Sequence, residues 1–303
     1  MPGITVEVVA DSLTDGGVRG TTLKLRYPRF IHSEFMTHRM FSRNASSSRA
    51  IPVERMIEQV INDPAIPTRW GREGRGMQDH GELLPVDQDY CLDKWLEARD
   101  HAVMVAQDLI RMPERPHKQV VNRLLEPWQF ITVLCTSTNY GNFVHLRDHK
   151  DADPTMAELG LKVHEALLHN KPHPLMYGEY HLPFIDDEDV EELAVGVQDE
   201  SQLKMRLIQT SVARCARVSY NNFDGKRSTW DEDLVLYTRL VSSDPKHASP
   251  AEHQFTPDRF EMGMWENPDL HGNLEGVIQF RKLLPNECNY DVFHEGKNRP
   301  WQK

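Results

Sequence analysis

Cysteine is scarce in this chain: Cys91, Cys135, Cys215 and Cys288 are scattered over 303 residues, and no two stand in CxxC spacing. That pattern suits neither a zinc site nor a disulfide scaffold. Long apolar runs are missing too, and none approaches the roughly 20 residues that a bilayer-spanning helix needs. The opening MPGITVEVVADSLTDGG has no basic stretch leading into an apolar one, so no signal peptide is expected and the chain is read as cytosolic, without a membrane partner. Positive charge is in deficit, with a formal net charge of −11. This argues against a general nucleic-acid binder, which needs a basic surface. It leaves room for a small anionic ligand, because a few arginines in one cleft are enough. The glycine fingerprint G-x-G-x-x-G is absent, so composition announces no dinucleotide. What remains is ordinary globular composition, 27% charged and 39% hydrophobic, in a chain long enough to bury a real core.

The pattern along the chain mixes strands and helices. ITVEVV alternates and TTLKLRY follows a turn-rich DSLTDGGVRG, so two strands are expected at the start. After Pro28, the spacing of Phe30, Ile31, Phe35 and Met36 predicts a helix through FIHSEFMTHRMFSR, ended by NASSSRAIP with Pro52 as a stop. Further helices are expected over 53–62, 88–112, 116–125, 128–146, 155–169, 200–217 and 229–243, the fifth of these opened by Asp153 and Pro154. Trp128, Phe130 and Tyr140 fall in the apolar pattern of 128–146 and read as core. Residues 66–86 read as a loop or lid. The Pro-punctuated and then acidic HNKPHPLMYGEYHLPFIDDEDVEEL marks an internal boundary, dividing 1–185 from 186–303. From about residue 257 the chain is expected to be irregular.

Chemistry concentrates in THRMFSRNASSSRAIP, residues 37–52. Arg39, Arg43 and Arg49 surround Asn44 and the serines Ser46, Ser47 and Ser48. Small polar residues in a turn can aim backbone N–H groups and hydroxyls at an anion, and a neighbouring arginine can clamp phosphate oxygens bidentately. A polar loop with solvated arginines fits the same composition.

The stretch resembles the signature of flavin-dependent thymidylate synthases. That signature runs Arg-His-Arg, two residues, Ser, one residue, Asn-Glu, one residue, Ser, one residue, Arg-Tyr. His38, Arg39, Ser42, Asn44, Ser47 and Arg49 stand at the matching places. The preceding TTLKLRYPRFIHSEFM is similar to the family's strand, proline and helix. NFVHLRDHKDADPTMAEL (142–159) resembles its Asn-Phe-x-x-Leu-Arg segment, ARVSY (216–220) its N-terminal Ala-Arg-Val-Ser-Tyr, and HASPAEH (247–253) its His-x-Ser/Thr-Pro-Phe-Glu-His, with Ala251 for Phe. RLLEP (123–127) is a weaker match. Together these cover about half of the chain. The order differs from ordinary members, where the ARVSY and Ser-Pro-Phe-Glu-His segments precede the signature. Here they follow it, as in a permuted, bacteriophage-like member whose helical piece has moved into the C-terminal half. Such a move is feasible where chain ends lie at the surface.

The resemblance implies an α+β fold, a small antiparallel or mixed sheet packed with helices. Residues 1–185 would hold the signature and 186–303 the relocated helical segment with an irregular extension, packing as one catalytic domain. It further implies a homotetramer with active sites between subunits. The implied activity is a methyltransferase of nucleotide biosynthesis that uses FAD, with methylenetetrahydrofolate and NADPH as co-substrates, to turn dUMP into dTMP.

Arg147 takes the key role in this reading, holding the N3/O2 edge of the pyrimidine and favouring the ionised ring. A surface arginine paired with Asp148 or Asp151 is the plainer possibility. Glu34, Ser46, Ser47, Ser48, Arg49 and Arg123 would hold the nucleotide, although Arg123 also reads as a solvent-facing helix residue. Thr37, His38, Arg39, Asn44, Asn142, Ser219, His247 and Ser249 would line FAD. His247 reads equally as a residue at a helix C-terminus, and Ser249 as an N-cap before Pro250. His145 and His149 flank Arg147 with no third ligand at fixed spacing, so no metal is expected. Thr37, Ala45 and Ala50 replace the signature's Arg, Glu and Tyr, and Glu34 stands where the family commonly has Gln. These departures keep open the same scaffold acting on dCMP or adding a hydroxymethyl group. A catalytically silent nucleotide- or DNA-binding relative is the reading from a different class.

Overall fold

The computed structural model describes residues 3–76, 81–220, 227–243 and 246–287; Cys288 lies outside the described residues. Its centre is a five-stranded mixed sheet in the order β3-β4-β2-β1-β5. β1 (Thr5–Thr14) and β2 (Arg19–Pro28) form the expected antiparallel hairpin, closed by a turn with Gly17 at φ 79°. β3 (Ser42–Ala45) and β4 (Phe130–Ser137) extend the sheet antiparallel on one side, and β5 (His173–Leu175) joins β1 in parallel on the other. An α+β mixed sheet packed with helices is therefore present.

Two expected helices are corrected. The stretch after Pro28 gives only a 3-10 turn and one short helix, α1 (His32–Phe35), before the chain extends into β3. Arg43 explains part of this, because its Nη1 donates to the carbonyls of Phe35 and His38 just where the helix stops. Those carbonyls are then satisfied without another helical turn. Residues 128–146 are likewise not one helix. FITVLCTS is β4, and only Gly141–Arg147 is helical. Ile131, Thr132, Val133 and Thr136 are β-branched, and a short apolar run reads at either period until its partners are known. Trp128 and Tyr140 are buried, as the core reading required, while Phe130 is half-buried under Arg26.

The helices after β3 are α2 (Val53–Asn62), α3 (Pro85–Arg111), α4 (Lys118–Val121), α5 (Gly141–Arg147), α6 (Pro154–His169), α7 (Asp187–Ala194), α8 (Glu200–Tyr220) and α9 (Trp230–Val241). α2, α3, α6, α8 and α9 lie near their expected places; α4 fills only part of the expected 116–125 before a 3-10 helix, Asn122–Trp128, takes over, and α7 was not expected. α6 starts as its sequence demands, with the Asp153 carboxylate accepting from the amides of Thr155 and Met156 and Pro154 in the first turn. Beyond residue 257 the chain is not wholly irregular. β6 (Phe255–Pro257) pairs with Val277–Gln279, and a tight hairpin joins Phe260–Glu261 to Met264–Trp265. No helix among the described residues is long and apolar enough to cross a membrane.

Strand alternation sorts the sheet into two faces. Leu23, Leu25, Ile131 and Val133 pack with Phe143, Met156 and Leu159 of α5 and α6. On the other face, Leu134 meets Cys215 and Val218 of α8. α8 is fixed in turn by charge. The buried Asp233 carboxylate of α9 receives Arg214 at 3.3 Å and Arg217 at 2.9 Å, while Asp189 of α7 receives Arg214 at 2.6 Å. Arg217 of the ARVSY segment is thus engaged in helix packing.

A string of hydroxyls and imidazoles crosses this second face. Ser12 Oγ meets His181 Nδ1 at 2.8 Å, and His181 Nε2 meets Thr22 Oγ1 at 2.8 Å. Thr22 meets Thr136 at 2.6 Å, and Thr136 meets His253 Nδ1 at 2.8 Å. The His181 ring lies flat on Phe255, 4.4 Å between centroids. Phe255 reaches the sheet because Gly20 has no Cβ, which would stand 2.2 Å from the ring. Burial drives both imidazoles down to about 3, with His181 adding to the effect on His253. The unfolded chain takes up protons below its ordinary 6.5, whereas these folded rings stay neutral until about 3. Stability is therefore full above that upper value and falls as pH drops through the window, by about 1.4 kcal/mol per pH unit for each ring. Urea unfolding at neutral and at mildly acid pH checks this; a midpoint that does not move would mean the rings are charged in the native protein.

Candidate functional site

The end of α1, the loop after it and the last turn of α5 form one cluster. Arg147, the final residue of α5, makes an ion pair through Nη1 with Glu34 of α1 and donates from Nε to His38 Nε2 at 3.1 Å. Its side chain is 18% exposed. The pairing is not with Asp148 or Asp151, which instead face His164 at 2.6 Å and His149 at 3.7 Å. His38 is wedged against Phe143, edge to face at 4.9 Å, and beside Phe41. Burial, and after it the charges of Arg147 and Arg43, holds His38 below the ordinary imidazole range. A neutral ring is what an acceptor at Nε2 requires. Thr37 turns back to donate to the Glu34 carbonyl at 2.7 Å.

Beside this cluster lies an open hollow of about 570 Å³ lined by Ser33, Met36, Thr37, Arg39 and Arg43. Arg39 is exposed and makes no ion pair among the described residues. Asn142 is exposed on α5, the helix that ends in Arg147.

β3 carries the signature to its second neighbourhood. Asn44 points to α8 and donates to the Cys215 carbonyl at 3.4 Å, and the Ser47 amide donates to the Ser219 carbonyl at 3.2 Å. The 3-10 turn Ser249–Glu252 also packs against β3. Segments far apart in sequence thus converge on four residues of strand. The three serines divide in direction. Ser46 Oγ is turned inward to the Thr132 amide at 3.1 Å, and Ser48 Oγ donates to Glu126 at 2.8 Å. Ser47 is half-buried between them. Arg49 and Arg123 are exposed without an ion pair among the described residues. His247 is exposed, its amide bonded to the Leu240 carbonyl, and Ser249 is exposed at the start of its turn. The cap of that turn is Ala248, not Ser249.

Two solved structures of a UMP/dUMP methylase, PolB from Streptomyces cacaoi, are similar to this chain at 18% identity. One is bound with 5-Br UMP (TM-score 0.45) and the other with 5-Br dUMP (TM-score 0.46); each match covers 55% of this chain and 90% of that chain. No family model matches the chain, and no curated protein does.

Two residues of the site lie outside the signature reading. Arg43 ties β3 to the loop that carries His38. Gly160, in the middle of α6, lets the end of α5 come close: a Cβ there would stand 2.6 Å from the Arg147 carbonyl carbon and 2.7 Å from the Asp148 amide. A glycine inside a helix costs about 1 kcal/mol relative to alanine, so its presence in an otherwise regular pattern is the available sequence signal. Gly160→Ala is expected to push α5 away and to destabilise the fold by about 1–3 kcal/mol despite the gain in helix propensity. Urea unfolding reads the sign, and a stabilised variant would show that α5 yields freely.

Proposed function

We propose that this chain transfers a one-carbon group to C5 of a pyrimidine deoxynucleoside monophosphate, turning dUMP into dTMP with FAD, methylenetetrahydrofolate and NADPH. The observation that carries the reading is Arg147, largely buried and held on two sides by Glu34 and His38 at the end of α5. A guanidinium has five N–H donors. Those two contacts leave the remaining donors for the N3/O2 edge of a pyrimidine. A fixed positive charge there stabilises the ring as it ionises and raises electron density at C5. Because Glu34 and His38 orient it before substrate arrives, little reorganisation is needed.

FAD, when bound, supplies the redox chemistry of the transfer. The residues present fit an anionic dinucleotide: the hollow lined by Ser33, Met36, Thr37, Arg39 and Arg43 holds Arg39, which has no ion pair among the described residues. Asn44, Asn142, Ser219, His247 and Ser249 belong to the cofactor side of the proposal, and Ser47, Arg49 and Arg123 to the phosphate side. A homotetramer with shared active sites is part of the same proposal.

The Glu34 carboxylate also favours a second reading. It accepts hydrogen bonds only, beside a guanidinium that only donates. That pair suits the exocyclic amine and N3 of cytosine, so dCMP is the alternative substrate, with hydroxymethyl as the alternative product.

The experiment incubates the protein with FAD, NADPH, methylenetetrahydrofolate and each pyrimidine monophosphate in turn, then reads product mass. Mass separates methyl from hydroxymethyl, and the panel separates uracil from cytosine. Arg147→Ala is expected to lower turnover about 10²–10³-fold or more while the circular dichroism spectrum is kept. Undiminished turnover in that variant removes this mechanism.

A further inference from the structure

A second arginine-lined cavity lies between the end of β2 and the start of β4, on the side that faces α2. It encloses about 180 Å³, and its walls carry two guanidinium groups, Arg26 and Arg29, against one carboxylate, Asp63. Ser46, Gln59, Gln129 and Thr132 complete the polar lining, and Ile51, Trp128 and Phe130 supply the apolar part.

The two arginines are in different states. Arg26 is spent: it is ion-paired with Asp63, donates to the Gly3 carbonyl at 2.8 Å and lies over the Phe130 ring at 3.6 Å. Arg29 is buried to 17% side-chain exposure and far less satisfied. Its Nη2 reaches the Ser46 carbonyl at 3.3 Å, and its Nε is buried with no acceptor among the described residues. The Glu126 carboxylate is 3.8 Å from Nη1, beyond hydrogen-bond reach, and already accepts from Ser48. Burial lowers the Arg29 pKa against the pull of Glu126 and Tyr27, and the nearby charge of Arg123 lowers it further. A desolvated guanidinium without a matched acceptor is costly unless something supplies one.

We infer that this cavity is a binding site for a phosphate group, with Arg29 as its clamp and Arg26 as a fixed supporting charge. Arg29 lines the cavity, and a planar guanidinium fork suits two oxyanion oxygens; Gln59 and Thr132 line the same cavity. The excess of one positive charge among the lining residues matches an anion. The small volume limits the occupant to a small group, either free phosphate or the terminal phosphate of a nucleotide whose remainder lies outside.

The test uses the full chain in phosphate-free buffer, without flavin or folate, so that its outcome is independent of the proposed activity. Inorganic phosphate is titrated against chloride at equal ionic strength, followed by calorimetry and by thermal unfolding. Saturable binding and a melting temperature that keeps rising with phosphate are expected for the wild type. Arg29→Met should lose that response and melt, without phosphate, no lower than the wild type, because an uncompensated buried charge has gone. Arg29→Lys keeps the charge but not the fork and should bind about tenfold more weakly or worse; it also serves if the methionine variant does not fold. UMP titrated in parallel identifies the source. UMP binding lost together with phosphate in Arg29→Met assigns the site to a nucleotide's phosphate, and UMP binding kept while phosphate is lost assigns it to free phosphate. A wild-type response equal to that with chloride, or an unchanged phosphate response in Arg29→Met or Arg29→Lys, overturns the proposal.

Discussion

Edge strand β3 is where the protein is joined to itself, and its two-residue period does the joining. Pairing on β4 fixes which of its side chains face which way. Arg43 goes to the face of α1 and the His38 loop, while Asn44 goes to α8. A slip of one residue would exchange these directions and undo both neighbourhoods at once. The cluster around Arg147 depends on the first direction, because Arg43 holds the loop whose His38 accepts from Arg147. The seam with the C-terminal half depends on the second.

That seam joins main-chain groups to side chains. The Ser219 and Cys215 carbonyls of α8 accept from the Ser47 amide and the Asn44 side chain, and Ser42 Oγ donates to Asn273 at 3.0 Å and accepts from Gln279 at 3.1 Å. The polar string from Ser12 to His253 performs a related task one strand further in. It satisfies hydroxyls and imidazoles that the sheet buries, with His253 Nε2 left over among the described residues.

Much of the architecture was legible in the amino-acid order. Alternation in ITVEVV and TTLKLRY announced the hairpin, although its strands run on through Asp11–Thr14 and from Arg19, residues that read as turn, and Asp153–Pro154 marked the start of α6. The two misread segments share one cause. FITVLCTS and the residues after Phe35 have apolar spacing that fits a helix or a strand, and only partners distant in sequence decide between them. The Arg147–Glu34–His38 grouping was foreshadowed only in its members. Each was singled out, but their direct contact depends on how α5 ends against α6, which Gly160 permits. The cavity at Arg29 left no trace at all, because residues from β2, α2 and β4 that line it form no local pattern.

The buried carboxylate of Asp233 has a mechanical consequence for the opposite end of this arrangement. Arg214 and Arg217 stand on successive turns of α8 and grip that single group. Rolling the helix about its axis would pull both guanidinium groups off a fully buried carboxylate, and Arg214 off Asp189 as well, so the roll is opposed. A key in a keyway behaves the same way. The carbonyl of Ser219, a little further along the same shaft, is thereby kept aimed at Ser47 by an anchor it never touches.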